Sequence, residues 1–492
     1  MPRNMLQLRI EALTQHLSQA QDPSVWRQTL DLPKFNVDDL LWDLAVEKIH
    51  AEAGAQLQRL EQLATRLRDG KVTEHEGWRQ YSRIQAASDE VFRECLDLLG
   101  GLALRDRIQD EHICRVADEY IKELSSDTGR RGSFAIPGMD AGASSILRRV
   151  AKMQFPEWTV WTLPLVAYEY GHVVIEESGI RRFAADLAVD AATEEVLRDR
   201  PDVCARLLEL GTDLDHAVRD LAREDADLDE AVARLAERVG DEDWHYLSDV
   251  FARHRSRVRI LLADVLATLL AGPAYTYAAL LLRLNPLSPE VDGVSDQDRA
   301  ATILATLRLM NEPEEDGPAP YGDTVERLER YWQASTAEAK AESPDLAAAA
   351  LDSPPALDPD RVRTMFRFHI VGHRRALYDR THWIRAEDWS ADWQKDLSRG
   401  IPLRRPATGP NEHLREAINA VWQARIEATH DLDSPQGEEA KKRVELFERV
   451  GLELCEAIMV QRRDESDRSD PGGGARPGPA PQSAVRVVGG RQ

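Results

Sequence analysis

Apolar residues recur at intervals of three and four along most of this chain, the period of a helix with one buried face. In one stretch Leu40, Leu41, Trp42, Leu44, Ala45, Ile49, Ala53, Leu57, Leu60 and Leu63 form a single stripe, and charged residues fill the opposite side. Long segments are rich in Ala, Leu, Glu, Arg and Gln, all strong helix formers. Period-two runs of Val, Ile, Thr and aromatics, which would mark half-buried strands, are scarce. The pattern predicts an all-α, multi-helical protein, and no internal repeat is visible.

The 492 residues are enough for two to four ordinary domains. Small polar residues at Ser125-Ser126-Asp127-Thr128-Gly129 close a first helical segment, residues 1–130. A second, 131–310, opens with an irregular piece, Phe134-Ala135-Ile136-Pro137-Gly138, and reaches an apolar helix near Trp161. Acidic helices fill 190–240. The most apolar stretch, Ile260 to Leu284, carries Asp264 and a Gly272-Pro273 pair, which suits a buried helical hairpin better than a membrane span. Residues 311–360 read as a connector with a short helix near Thr324 to Ala349, between Pro-rich stretches. A third helical segment, 361–464, begins with Arg361, Arg363, Arg367, Arg374 and Arg375. Those arginines would suit an acidic partner or the acidic helices of the same chain. Residues 465–492, with Pro471 and Gly472-Gly473-Gly474, have the composition of a disordered tail.

Charge removes several function classes. Lys plus Arg is 63 against 86 for Asp plus Glu, a formal net charge of −23. Nucleic acid and anionic membrane surfaces both ask for clustered positive charge, so neither is an expected partner. The four cysteines, Cys95, Cys114, Cys204 and Cys455, are far apart and form no CxxC pair. A disulfide framework and a cysteine zinc site are both disfavoured, and a reducing, cytoplasmic setting is expected. The N-terminus lacks the uninterrupted apolar core of a signal peptide. High Ala, Arg and Asp with little Lys has the character of a high-GC bacterial sequence. No GxxxxGK[ST] loop, GxGxxG turn or GxSxG elbow is present.

The chemistry concentrates in Leu163-Pro164-Leu165-Val166-Ala167-Tyr168-Glu169-Tyr170-Gly171-His172-Val173-Val174. On a helix, positions 165, 168, 169, 172 and 176 share one face. Tyr168, Glu169, His172 and Glu176 therefore project together from an otherwise apolar helix, and buried polar groups need partners or a metal. This stretch resembles the HExxH helix of zinc-dependent metallopeptidases, the zincins. In that motif two histidines hold zinc and the intervening Glu activates the metal-bound water. Glu169 and the Gly171-His172 end match; Tyr168 stands where the first histidine would be. Downstream, Ile260-Leu261-Leu262-Ala263-Asp264 is similar to the ExxxD helix of the glutamate-zincin branch. Asp264 matches the supporting aspartate, and Ile260 stands at the ligand position. The resemblance covers about a third of the chain.

With one aligned histidine left, the resemblance implies a zincin-like fold that has lost its metal and acts by binding a polypeptide or protein partner. No cofactor is then expected. Asp264 would accept a hydrogen bond from Tyr168 in place of the lost contact. The competing reading is an active zinc hydrolase, with Glu169 as general base, His172 as ligand, and Glu176, Asp264 or His254 completing the site. It requires His172, Asp264 and a third donor to converge on one point. A di-iron bundle built on Glu-x-x-His units is a further alternative, with copies at Glu169/His172, Glu242/His245 and Glu427/His430. A plain helical scaffold would leave Glu169 and Asp264 far apart. The pair His369/His373 sits among arginines that oppose a cation, and Trp383, Trp389 and Trp393 suit either core or an interface.

Overall fold

Helix-forming composition and the three-four spacing of apolar residues give thirteen α-helices among the residues described by the computed structural model. Those residues are 5–20, 39–107, 111–128, 134–138, 142–143, 150–154, 159–175, 178–209, 241–286, 288, 293–312, 321, 323–342, 357–358, 361–362, 364, 414–429 and 437–469. The fold is predominantly helical, as the apolar spacing predicts.

Three helices make an N-terminal layer: α1 (Met5–Ala20), α2 (Asp39–Arg68) and α3 (Glu74–Arg107). Leu6, Ile10, Leu13 and Leu17 of α1 bury against Ala53, Leu60 and Leu63 of α2 and Tyr81 and Ile84 of α3, a core of their own. Helix α4 (Glu111–Thr128) belongs instead to the large core.

After α4 the sequence expectation of an irregular piece is corrected. Phe134–Gly138 is a strand, β1, in a small sheet with β2 (Gly142–Ala143) and β3 (Val150–Gln154). The order is β1-β3-β2, with β1 parallel and β2 antiparallel to β3. These strands are too short to show a period-two signal, and Pro137, which has no N–H to donate, disguises β1.

The large core is built around α8 (Asp241–Ala271). Against it pack α5 (Val166–Ile175), which follows a 3-10 turn at Leu163–Leu165, α6 (Ser178–Asp199) and α10 (Asp296–Met310). A short α7 (Pro201–Glu209) follows α6. Gly171 sets the approach of α5 to α8: a Cβ there would lie 3.1 Å from the Ala263 carbonyl oxygen and 3.3 Å from its Cα. Helix α10 starts with a reciprocal cap between Ser295 and Asp298.

The apolar stretch after Ile260 breaks at Gly272, whose φ of 65° and ψ of −147° suit only glycine. Its second arm is short. Six residues of α9 (Pro273–Ala278) lead into a π turn, Ala279–Arg283. Rather than folding back as a long hairpin, this arm packs on α12 (Leu414–Thr429). Asn419 of α12 satisfies the break: its Oδ1 accepts from the Ala274 N–H at 2.8 Å, and its Nδ2 donates to the Ala271 carbonyl at 2.9 Å. At the start of α12, Glu123 of α4 accepts from the Leu414 N–H at 2.9 Å.

Helix α11 (Thr324–Glu342) lies within the region read as a connector, yet it buries Val325, Leu328 and Trp332 in the large core. Helix α13 (Gly437–Ser469) contributes Phe447, Val450, Cys455 and Ile458, and extends five residues past the expected start of the tail. Of the arginines opening the third segment, Arg361 pairs with Asp190 of α6 at 3.1 Å. Arg363, Arg367, Arg374, Arg375, His369, His373 and the three tryptophans at 383, 389 and 393 lie outside the described residues. Among the described residues no helix is long and apolar enough to cross a membrane.

Candidate functional site

Helix α5 carries the motif. Tyr168 and Glu169 are buried, and His172 is half-buried on the same face. Glu176, expected on that face one turn later, lies outside the described residues. Ile260, at the position where the resemblance asks for a ligand, is a half-buried apolar side chain against the core.

Tyr168 forms the centre of the site. The Arg283 guanidinium lies 4.2 Å from the Tyr168 ring centroid and the Arg299 guanidinium 4.8 Å. The His172 ring meets the same ring edge-on at 4.6 Å, and the Tyr275 ring lies parallel to it at 6.5 Å. Cations near an aromatic ring are attracted to its π face. The position of the first motif histidine thus holds a ring that gathers two arginines.

Each arginine clamps one carboxylate. Arg283 Nη1 donates to Glu169 Oε1 at 3.0 Å. Arg299 takes Asp264 in a two-point grip, Nε to Oδ2 at 2.9 Å and Nη2 to Oδ1 at 3.0 Å. Tyr275 also donates its hydroxyl to Asp264 Oδ1 at 2.5 Å. The phenol that reaches Asp264 is therefore that of Tyr275, which corrects the expectation of a bond from Tyr168. Asp264 is fully buried, and a buried carboxylate is tolerable only with such complete pairing.

The network links five elements. Glu169 and Tyr168 come from α5, Asp264 from α8, Tyr275 from α9, Arg283 from the π turn and Arg299 from α10. Both carboxylates are held by guanidiniums that touch one ring.

Electrostatics follow from the geometry. Burial pushes the Tyr168 hydroxyl up to about 12, so it stays a neutral phenol. Burial, then Arg259, Arg283 and Arg299, push the His172 imidazole down to about 3, so it is neutral at pH 7. For Arg283 burial is the largest single influence and works against the charge, but Glu169, Tyr168 and Tyr275 together outweigh it; for Arg299 burial is likewise the largest, and Asp264 with Tyr168 and Tyr275 together outweigh it. Both stay cationic.

No family model, no curated protein and no solved structure matches this chain. The chemistry of the site rests on its own residues.

Among the described residues, no group of three His, Cys, Asp or Glu side chains is placed to hold a metal ion. His254, the alternative imidazole, meets α6 instead: its Nε2 lies 2.8 Å from Glu195 Oε2, and Arg253 donates to the other oxygen of Glu195 at 2.8 Å. Of the other Glu-x-x-His units, His245 is exposed, and the side chains of Glu242, Glu427 and His430 lie outside the described set. Sequence reasoning missed Arg283, Arg299 and Tyr275. One signal was available for them: an aspartate within the most apolar stretch requires a buried cation or hydroxyl partner. Which of the chain's many arginines supplies it is a question of tertiary distance, and Arg299 lies 35 residues away in sequence.

Proposed function

We propose that this protein is a non-catalytic binding component whose middle segment resembles a zinc metallopeptidase that has exchanged its metal chemistry for arginine. The observation that carries this reading is the commitment of both motif carboxylates to guanidiniums, Glu169 to Arg283 and Asp264 to Arg299. A general base must present a carboxylate oxygen to the water it deprotonates, and both carboxylates here accept hydrogen bonds from a guanidinium instead. A zinc site also needs three protein donors around one point. The described donors do not compose one: Tyr168 and Ile260 replace two ligands, and the cations Arg283 and Arg299 stand within the site. Glu169 and His172 act in this reading as members of a buried network, with no part in hydrolysis.

The arginine network fixes α5 against α8, α9 and α10, and the helical surfaces around it engage a polypeptide partner. A bacterial, cytoplasmic role fits the composition, the charge and the spread of the cysteines. The test is metal content. Untagged protein, purified without chelator, is assayed by elemental analysis beside its His172→Ala variant. Substoichiometric zinc and iron in both, unchanged after zinc is added back, is the expected result. Near-stoichiometric metal that disappears in the variant overturns the proposal and restores the hydrolase or di-iron reading.

A further inference from the structure

Helices α12 and α13 cohere as a pair. They pack more extensively on each other than either does on α4 or α9. Gly451 lets them meet closely: a Cβ there would lie 2.8 Å from Val421 Cγ2.

The seam that seats this pair on the rest of the core is different in kind, because polar ties recur along it. On successive turns of α12, Arg415 Nη1 donates to the Leu270 carbonyl at 3.0 Å, Asn419 serves Ala271 and Ala274, and Gln423 Oε1 accepts from the Tyr277 hydroxyl at 3.2 Å. From α13, Glu448 Oε2 accepts from Trp161 Nε1 at 3.2 Å. The seam also strands donors. Trp422 is fully buried, stacked on the Tyr277 ring at 5.9 Å and edge-on to Trp161 at 5.4 Å, yet its Nε1 has no acceptor. The Arg425 guanidinium lies 4.6 Å from the Trp161 ring centroid and 4.9 Å from that of Trp422, and its buried Nη1 has no acceptor either. Burial weakens the hold of Arg425 on its proton, and Glu448 only partly counters this. A stranded donor burdens the seated state and regains water when the pair lifts away. Polar seams are usual between bodies that move relative to one another.

Helix α9 joins this seam to the arginine site. Its Ala274 N–H and Tyr277 hydroxyl bond to α12, while Tyr275, between them in sequence, donates to Asp264. We propose that α12 and α13 form a clasp that lifts from α4 and α9 as one unit, and that its seating on α9 steadies the Tyr275–Asp264 contact. The clasp is independent of what the protein binds, and of whether the site ever held a metal.

The experiment is native-state hydrogen exchange, read by mass spectrometry on the full chain. Amides of α12 and α13 are expected to exchange through one shared opening, about tenfold or more faster than those in the middle of α8. Asn419→Ala should raise that opening about tenfold and carry α9 with it, while α1 to α3 stay unchanged. Arg425→Met keeps an aliphatic stem against the indoles and removes the stranded N–H, so opening should fall by about threefold. Coupling is reciprocal, so Tyr275→Phe, which leaves Asp264 in the grip of Arg299, should raise the opening of α12 and α13 by about threefold. Exchange of α12 and α13 only in step with α8 overturns the clasp. Asn419→Ala accelerating every helix equally does the same. Faster opening in Arg425→Met overturns the claim that stranded donors load the seam. Opening indifferent to Tyr275→Phe overturns the link to the site.

Discussion

Replacing Arg299 with Met keeps much of the aliphatic stem and removes the charge that matches Asp264. The Asp264 side chain is 0% exposed and that of Arg299 11%, so the stranded carboxylate would have almost no access to water. Removing one partner of a buried pair costs about 3–5 kcal/mol. The remaining Tyr275 hydroxyl, 2.5 Å from Oδ1, offsets part of this, since a hydrogen bond to a charged group contributes about 1.5–3 kcal/mol. The net expectation is about 3 kcal/mol. Asp264→Leu strands the guanidinium instead, near the Tyr168 ring and 3.8 Å from Asp296, and should cost somewhat less. In the double variant neither charge is stranded, so its loss should fall short of the summed single losses by about 1–3 kcal/mol. Urea unfolding followed by circular dichroism and by the fluorescence of Trp161 and Trp422 reads these differences, because both indoles lie in the same core as Asp264's neighbours. Additivity within about 0.5 kcal/mol would refute the idea that the pair is energetically coupled.

Three further outcomes follow from the structure. An unfolded imidazole titrates near 6.5, whereas folded His172 is held down to about 3, so between these values the unfolded chain binds more protons and stability falls as pH drops. The loss of stability between pH 7 and pH 5 should therefore be smaller in His172→Gln, and an equal loss in both proteins counts against a neutral His172. Gly171→Ala should lower stability by about 1 kcal/mol, because overpacking against the Ala263 backbone costs about 1–3 kcal/mol and helix propensity returns about 1; a more stable variant would show that α5 can move away from α8. Asn419→Ala strands a buried N–H at Ala274 and removes a donor from the Ala271 carbonyl, at about 1–3 kcal/mol for each stranded group, and a denaturation shift below about 0.5 kcal/mol would contradict that.

The helices were legible because one period governs them. Leu40 to Leu63 lies within α2, and the polar stop at 125–129 coincides with the end of α4 at Thr128. Gly272-Pro273 was legible as a break because that pair disfavours a continuous helix, but the short arm and π turn beyond it were not. Their conformation depends on Asn419 and Glu169, distant in sequence. The strands were illegible for a local reason: β2 has two residues and β1 contains a proline. In the site, spacing placed Tyr168, Glu169 and His172 on one face. It could not show that both carboxylates answer to arginines from other helices, because ion pairing leaves no periodic trace.

Asn419 serves the backbone N–H of Ala274, just past the Gly272 break, from 145 residues away. A ribosome adds about 5–20 residues per second, so the nascent chain waits on the order of ten seconds between making Ala274 and delivering Asn419. During that interval the Ala271 carbonyl and the Ala274 N–H must be served by water, and the surrounding leucines cannot close over them without penalty. Glu123, made earlier still, waits even longer for the N–H of Leu414. Completion of the core around α8 is thereby tied to the late arrival of α12, and a chain stalled before it is an open substrate for chaperones and proteases.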